Sequence, residues 1–265
     1  MLILTKGEYY GTISSILPAD GVLISTTRYQ GGTGMSPMHA HENAHLSFVL
    51  HGVMGVRRKD FRCSDQLLES FSLMRAGEMH QNAVYSKYCH NMNLELEPGF
   101  FDKYGLSPTA ISPLAFSRPG SVLLMVLLYR ELRHRDENFS DSIHMLLLDA
   151  VAGWKQSDRQ LMPSWVNTID ELLRDKWNAP VSLRELAGAV DVHPVTISKY
   201  FARYFGCSLG EYRRKLKVER AIALISSTNQ SLTEIGYACG FFDQSHFIRS
   251  FRDLTAMLPK DLRQV

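Results

Sequence analysis

The chain has little of what marks secreted, membrane-spanning or disulfide-stapled proteins. Its 265 residues hold only four cysteines, Cys63, Cys89, Cys207 and Cys239, and no two form a C-x-x-C pair. That excludes a disulfide framework and a zinc ribbon, and it suits a reducing compartment. Long apolar runs are absent too. The longest, Val122–Tyr129, is less than half of the ~20 residues a membrane helix needs. The N-terminal MLILTKGEYYGT has no basic head and no long apolar stretch, so no signal peptide and no membrane partner are expected, and a cytoplasmic location is. Neither sign of charge dominates: 29 Lys+Arg face 27 Asp+Glu, a net of +2, which excludes a polycationic coat. What remains is ordinary globular composition, 45% hydrophobic and 21% charged. At roughly 150 residues per domain the length predicts two domains, each able to bury a core.

The pattern changes in the middle of the chain. Up to about Leu96, short apolar runs (Gly21–Thr27, Leu46–Leu50, Gly52–Arg57 and Ser70–Met74) are separated by Gly, Pro, Ser and Asp. They predict the strands of a sandwich or barrel. From about Gly120 the period is helical. Val122–His134 has a broad apolar face, and Asp141–Gln156 places Ile143, Leu147, Ala150 and Trp154 on one stripe. The polar Arg133–Ser140 between them predicts an antiparallel helical hairpin. Gln156–Pro163 reads as a linker.

Beyond Pro163 short helices are expected, and three carry the same start signal. Ser182-Leu-Arg-Glu185, Ser208-Leu-Gly-Glu211 and Ser231-Leu-Thr-Glu234 are S-x-x-E capping boxes. The first and third open an internal repeat, SLRELAGAVDVHPVTISKYF ending at Phe201 and SLTEIGYACGFFDQSHFIRSF ending at Phe251. The copies differ by one residue, placed in the turn. Leu183, Leu186, Ala187, Val190, Val192, Ile197 and Phe201 are the expected inward positions of the first. Leu232, Ile235, Gly236, Cys239, Phe241, Phe247 and Phe251 match them. Asp191 and Gly240 share one place, and both types tolerate the left-handed backbone that ends a helix abruptly. Pro194 suits the first turn of a new helix.

Helix, tight turn, helix is the arrangement whose second helix enters the major groove of DNA. The outward residues of that helix are Val195, Thr196, Ser198, Lys199 and Arg203 in the first copy. In the second they are Gln244, Ser245, His246, Ile248, Arg249 and Arg252. These include base-reading types: Arg and Lys for guanine, Gln for adenine, small apolar groups for the thymine methyl. Ser208–Ser226, between the copies, reads as one long basic helix with Arg214 as a phosphate contact. From His193 to Arg220, seven Lys+Arg face two Glu, so positive charge gathers where a phosphate backbone would run. One such pattern arises by chance and one Arg-rich helix is usually a solvated face. Matched polar and cationic residues on both second helices are more than packing requires.

Residues 165–265 resemble the DNA-binding domain of AraC/XylS-type transcriptional regulators. The resemblance rests on S-L-x-x-L-A followed by V-T-I-S-K-Y-F-A-R-Y-F-G, then E-Y-R-R-K-L-K-V-E-R-A, then S-L-T-E-I-G-Y-A-C-G-F-F-D-Q-S-H-F-I-R-S-F-R. It implies two helix-turn-helix units on one rigid helix, reading major grooves about 34 Å apart. Two departures stand out. The family's Gly-x-Ser/Thr-Pro after each second helix is Gly206-Cys-Ser208-Leu209 in the first unit and Ala256-Met-Leu258-Pro259 in the second. The second unit is therefore expected to turn differently.

The N-terminal half carries a histidine pattern, Gly34-x4-His39-x-His41-x3-His45-x6-Gly52, then Arg75-Ala-Gly77-Glu-Met-His80. His39 and His41 share one face of a strand. A second strand bringing His80 near would gather three imidazoles, with His45 as a fourth, a set suited to Zn, Fe, Ni or Cu. The structural alternative is that these histidines line a pocket or bond beside a turn, with Glu42 and Glu78 as partners. The pattern resembles the two cupin motifs. It departs from them in being one residue short, in His45 for the usual Glu and in Arg75 for the usual Pro. That resemblance implies a small-molecule site walled by residues such as Phe48, Leu50 and Phe71.

Together these readings predict an α+β chain: an N-terminal cupin-like β-barrel or jelly roll (1–110), a helical hairpin (111–160), and an all-α C-terminal domain (161–265) with units at about 182–206 and 231–256. The expected function is a bacterial-type, sequence-specific DNA-binding regulator controlled by a small molecule, and not an enzyme. The resemblance implies double-stranded DNA, an effector and a second copy of the chain as partners, with RNA polymerase added for an activator. The hairpin has two readings, packing against the barrel or forming a dimer face. The competing function is a metal-dependent cupin oxygenase or isomerase, or a metal-sensing regulator, using His39, His41, His45 and His80. A divalent metal is the one cofactor this pattern brings into question.

Overall fold

A computed structural model describes residues 2–32, 34–58, 67–68, 71–108, 120–158 and 163–264. Cys63, and the expected domain boundaries within 109–119 and 159–162, lie outside the described residues. The N-terminal half builds two five-stranded sheets. One holds β1 (Leu2–Leu4), β4 (His39–His41), β9 (His80–Val84), β6 (Met54–Arg58) and β7 (Leu67–Leu68), in that order. The other holds β2 (Thr12–Pro18), β3 (Val22–Gln30), β10 (Tyr88–Leu96), β5 (Ala44–His51) and β8 (Phe71–Met74).

The second sheet divides two environments, and the alternation of its strands shows how. In β10, Met92, Leu94 and Leu96 join the main hydrophobic core, while Asn91, Asn93 and Glu95 are buried on the opposite face. In β5, Leu46, Phe48 and Leu50 take the core side, and His45 and Ser47 take the other. In β8, Phe71 and Leu73 face the core, and Ser72 and Met74 do not. The apolar face is roofed by helices, because the same core contains Phe100, Met125 and Leu147. The opposite face is polar. Phe48, Leu50 and Phe71 were expected as pocket walls. They lie on the helix side, since a period of two sends neighbouring residues to opposite faces.

The helices follow the sequence pattern with adjustments. Helix α1 (Pro98–Lys103) falls where no element was expected and starts with Pro98 in its first turn. Helices α2 (Ser121–His134) and α3 (Phe139–Asp158) form the hairpin, closed by Arg135 in the left-handed conformation. Helix α3 therefore takes in Gln156–Asp158, read from sequence as linker. Ile143 and Leu147 of its stripe are buried and Ala150 is partly so; the Trp154 side chain lies outside the described set. His144 ties α3 to the barrel. Its Nε2 is 2.9 Å from the Ala19 carbonyl, which can only accept, so Nδ1 accepts from the Tyr104 hydroxyl at 2.7 Å.

The C-terminal half is α4 (Ser164–Asp175), α5 (Leu183–Val190), α6 (Pro194–Phe205), α7 (Leu209–Ser227), α8 (Leu232–Ala238), α9 (Gln244–Thr255) and α10 (Pro259–Arg263). All three capping boxes form, at Ser182, Ser208 and Ser231. Each satisfies two amides that helix geometry leaves without partners. Helix α7 divides between two cores. Its first half contributes Tyr212 and Leu216 to a separate core with Ile169, Leu186, Ile197 and Phe201. Its second half contributes Val218, Ile222 and Ile225 to the main core, beside Ile235, Phe247 and Phe251. The second helix–turn–helix pair thus shares one hydrophobic core with the barrel and the hairpin, and the first pair has its own.

Candidate nucleic-acid interface and histidine pocket

The two pairs, α5–α6 and α8–α9, repeat one geometry with different parts. Asp191 ends α5 at φ 50° and ψ 42°, as its small polar side chain permits. Helix α6 then starts at Pro194, with the His193 ring accepting from the Val195 amide. Gly240 makes the corresponding turn at φ 71°, and Asp243 caps α9 by accepting from the His246 amide at 2.6 Å. The second unit ends as the first does, contrary to expectation. Ala256 adopts φ 53°, near the 70° of Gly206, and α10 starts at Pro259 as a family-like helix would. Alanine here takes the left-handed conformation for which glycine is the usual residue, with its amide donating to the Arg252 carbonyl.

Most expected reading residues are exposed. On α6, Val195, Ser198, Lys199 and Arg203 are exposed and Thr196 is half-buried. On α9, Gln244, Ser245, His246, Arg249 and Arg252 are exposed. Ile248 differs: it is half-buried and packs against the main core. Arg214 is half-buried as well, and its Nε is buried without a hydrogen-bond partner among the described residues. Other cations of α7 are engaged by the protein itself. Arg213 Nη2 donates to the Ala179 carbonyl at 2.8 Å, just before α5, and Lys217 Nζ donates to the Gly240 carbonyl at 2.6 Å in the α8–α9 turn. These two side chains pin both units to α7, a role that charge counting along the chain does not reveal. Sequence reasoning also passed over Phe242. It is the residue by which the second turn is longer, and it is 87% exposed beside the start of α9.

All four expected histidines converge between the two sheets. His39 on β4 is the direct cross-strand partner of His80 on β9. Ring centroids lie 4.3 Å apart for His39–His80, 4.2 Å for His41–His45 and 5.3 Å for His39–His41. One ring nitrogen from each of His39, His41 and His80 can be chosen so that all lie within 4.8 Å of one another. All four side chains are buried. Backbone carbonyls set two of the tautomers. His39 Nδ1 donates to Pro37 O at 2.8 Å and His80 Nδ1 donates to Glu78 O at 3.0 Å, so each ring keeps Nε2 as a lone pair. Burial pushes His41 down to about 3 and His80 down to about 4, with neighbouring imidazoles adding to the effect. It lowers His39 and His45 as well. The cluster is a set of neutral imidazoles at neutral pH, the form that ligates metals. The carboxylates expected as partners are elsewhere: Glu42 accepts from the Lys6 amide, and Glu78 pairs with Arg58 at 3.0 Å.

Further groups around the histidines went unread. Tyr9, Tyr10, Tyr29, Ser47, Ser72, Asn82 and Asn93 line the same pocket. Tyr9 donates to Glu95 Oε1 at 2.6 Å, and the Gly7 amide reaches the same oxygen at 2.9 Å. Ser47 Oγ donates to Asn93 Oδ1 at 2.9 Å, and Asn93 Nδ2 donates to Thr27 Oγ1 at 3.0 Å. The free space among these groups is ≈ 20 Å³, room for an ion or a single water. A signal for this lining existed in the chain: Asn91, Asn93 and Glu95 alternate with Met92, Leu94 and Leu96.

Residues 186–264 match the family model of a helix-turn-helix domain. Over 93 residues the chain is 33% identical to the HTH-type transcriptional regulator GbdR of Pseudomonas aeruginosa, covering 35% of this chain and 25% of that protein. Over 114 residues it is 28% identical to the HTH-type transcriptional activator RhaS of Enterobacter sp. (strain 638), covering 43% of this chain and 39% of that protein. Residues 186–264 are an AraC/XylS-type helix-turn-helix domain. The matched stretch spans a quarter to two-fifths of these relatives' lengths. A solved AraC-type regulator from Chromobacterium violaceum aligns over 38% of this chain and 89% of its own, at 27% identity and a TM-score of 0.36.

Polar contacts join the AraC-type domain to the N-terminal half at separate points. Glu219 on α7 accepts from the Gly120 amide at the start of α2 at 2.5 Å, and burial pushes its carboxyl up to about 7. Arg133 at the end of α2 donates to the Asp261 carbonyl of α10 at 3.2 Å. The Gly52 amide, in the turn between β5 and β6, donates to the Ser226 carbonyl in the last turn of α7 at 2.9 Å. That turn is tightly held: Gly52 sits at φ 93°, and a Cβ there would lie 2.3 Å from the Tyr88 carbonyl oxygen. Strands β5 and β6 supply His45, Ser47, Met54 and Val56 to the pocket, so the helix between the two units ends on the hairpin that lines the histidine site.

Proposed function

We propose that the protein is a sequence-specific DNA-binding transcriptional regulator whose N-terminal domain binds a small effector. The observation that carries this is the pair of helix–turn–helix units on α7, with Lys199 and Arg203 exposed on α6 and Gln244, Arg249 and Arg252 exposed on α9. Exposed polar and cationic side chains on second helices are the equipment of major-groove readout. The relatives named above are transcriptional regulators, which supports the reading. In it, the two sheets form a cupin-like barrel (1–110), α2 and α3 a hairpin (111–160), and 161–265 the DNA-binding domain. A second copy of the chain docks on the outer face of α3, where Met145 is exposed, and the location is the cytoplasm. An activator would also touch RNA polymerase. The effector shifts the population of arrangements in which the two units are presented to DNA.

The test is selection of bound duplexes from a random-sequence pool, then binding of the selected duplex by fluorescence anisotropy. A shared motif with two half-sites about one helical turn apart is expected. A pool that stays unenriched refutes the reading. The enzymatic alternative, a cupin oxygenase or isomerase, leaves α5–α9 without a role.

A further inference from the structure

We infer that Phe242 is a base-reading residue, and that its ring contacts the C5-methyl group of a thymine in the major groove beside the start of α9. The inference rests on the regulator reading above and deepens it, adding a thymine to what the second unit recognises. Phe242 is 87% exposed, more than any other large hydrophobic side chain among the described residues. Its neighbours show that this exposure is not slack in the chain. Phe241 is 4% exposed and packs with its ring centroid 5.2 Å from that of Phe247. Asp243 caps α9 through the His246 amide. Behind the turn, Lys217 Nζ donates to the Gly240 carbonyl and lies 5.7 Å from the Phe241 ring centroid. A Cβ at Gly240 would lie 3.0 Å from the Asn178 carbonyl oxygen, so the turn is enclosed on that side too. Phe242 is thus held outward between two anchored residues, and its backbone has little freedom left to lose on binding.

Position decides the partner. In a helix-turn-helix the N-terminal residues of the second helix meet the base edges. Phe242 stands two residues before Gln244, the first residue of α9, a Cα path of at most ~7.6 Å. That is about two base-pair steps, so the ring meets the same groove as Gln244. The methyl group that unmodified DNA displays there is the C5-methyl of thymine, and Phe is among the side chains that contact it. The two units agree on this point. In the first, the exposed apolar residue at the start of the reading helix is Val195, the second residue of α6. The second unit has the polar Ser245 at that place and carries Phe242 just ahead of the cap. Each unit therefore presents one apolar side chain where its reading helix begins. The exposed Gln244, Arg249 and Arg252 on the same helix suit base edges and phosphates rather than an apolar protein surface.

The test uses the full chain and the pool-selected duplex. Each thymine of the motif is replaced in turn by deoxyuridine, which removes the methyl group alone, and affinity is read by anisotropy. One replacement should weaken binding of the unaltered chain about three- to fivefold, the worth of one buried methyl group. Phe242→Ala should lose at least as much on the thymine duplex, with an unchanged melting temperature, and should then be indifferent to that replacement. Selection repeated with Phe242→Ala should drop the preference for thymine at that position and keep the rest of the motif. A motif without a fixed thymine, or one in which no deoxyuridine weakens the unaltered chain, overturns the inference and leaves the regulator reading standing. So does a Phe242→Ala chain that keeps its affinity. A variant that loses affinity yet still responds to the same deoxyuridine also overturns it, because the ring then supports binding without reading the base. A chain that enriches no duplex overturns the regulator reading and this inference with it.

Discussion

The division of the helical half between two cores has a direct consequence for stability. Phe201 and Phe247 hold matching places in the two units and are 2% and 0% exposed. Truncation of either to alanine removes a buried ring and leaves a cavity, at a cost of about 3–5 kcal/mol. The costs fall in different places. Phe201 belongs to the core of α4–α6 and the start of α7, whereas Phe247 belongs to the core that also holds Met125, Leu46 and Leu94. Phe201→Ala should therefore loosen one unit alone, and Phe247→Ala should loosen α2, α7, β5 and β10 together. A loss of ~4 kcal/mol raises the open population nearly a thousandfold, well within reach of hydrogen exchange followed peptide by peptide. Faster exchange confined to α4–α6 is expected for Phe201→Ala. For Phe247→Ala the change should extend to the β5 and β10 amides. A Phe247→Ala effect that stops at α8–α9, or a Phe201→Ala effect that reaches β10, would refute the shared core.

Other expectations follow from single sites. Lys199→Ala and Arg249→Ala should each weaken binding to the selected duplex by about 1–3 kcal/mol while leaving the melting temperature in place; unchanged affinity for both would remove α6 and α9 as reading helices. Ala256→Gly should raise stability by roughly 0.5–1 kcal/mol, because glycine relieves the left-handed strain at φ 53° at some entropic cost; a denaturation midpoint shifted downward would contradict this. Acid should destabilise the metal-free chain. Folded His41 and His80 titrate near 3 and 4, whereas unfolded histidine titrates near 6.5, so the unfolded chain binds protons first as pH falls. Their contribution is fully present above pH 6.5 and is lost on the way down to pH 4 and below. At pH 5 the loss is about 2 kcal/mol for each of the two. A urea midpoint in chelator that is equal at pH 7.5 and pH 5 would show that these imidazoles are not buried neutral. Ser231→Ala should cost about 1 kcal/mol through the lost cap at the start of α8, read by the same midpoint.

How far each feature was legible depends on the range of the interactions that make it. The capping boxes at Ser182, Ser208 and Ser231 involve groups three residues apart, and the turns at Asp191 and Gly240 depend on single-residue conformational preference. All were readable in advance. His39 and His41 were readable as a pair because a strand places alternate residues on one face. Tyr9 and Tyr10 enter the pocket from an irregular segment with no period to follow. Arg213 and Lys217 counted only as charge along a basic helix, because their carbonyl partners lie 34 and 23 residues away. Ile248 looked outward because nothing local announces that the main core reaches that side of α9.

The sequence by itself determined the two-part architecture, the doubled helix–turn–helix and the gathering of histidines, since each follows from local bonding and from hydrophobic period. Only the tertiary structure decided which face of β5 meets the helices and which meets the pocket. Either face of a buried strand can satisfy the same alternation, and the choice is made by what packs on the far side. The tertiary structure also decided that the second unit shares the N-terminal core while the first stands apart, because that depends on where α7 crosses the end of the barrel, a geometry no local pattern encodes.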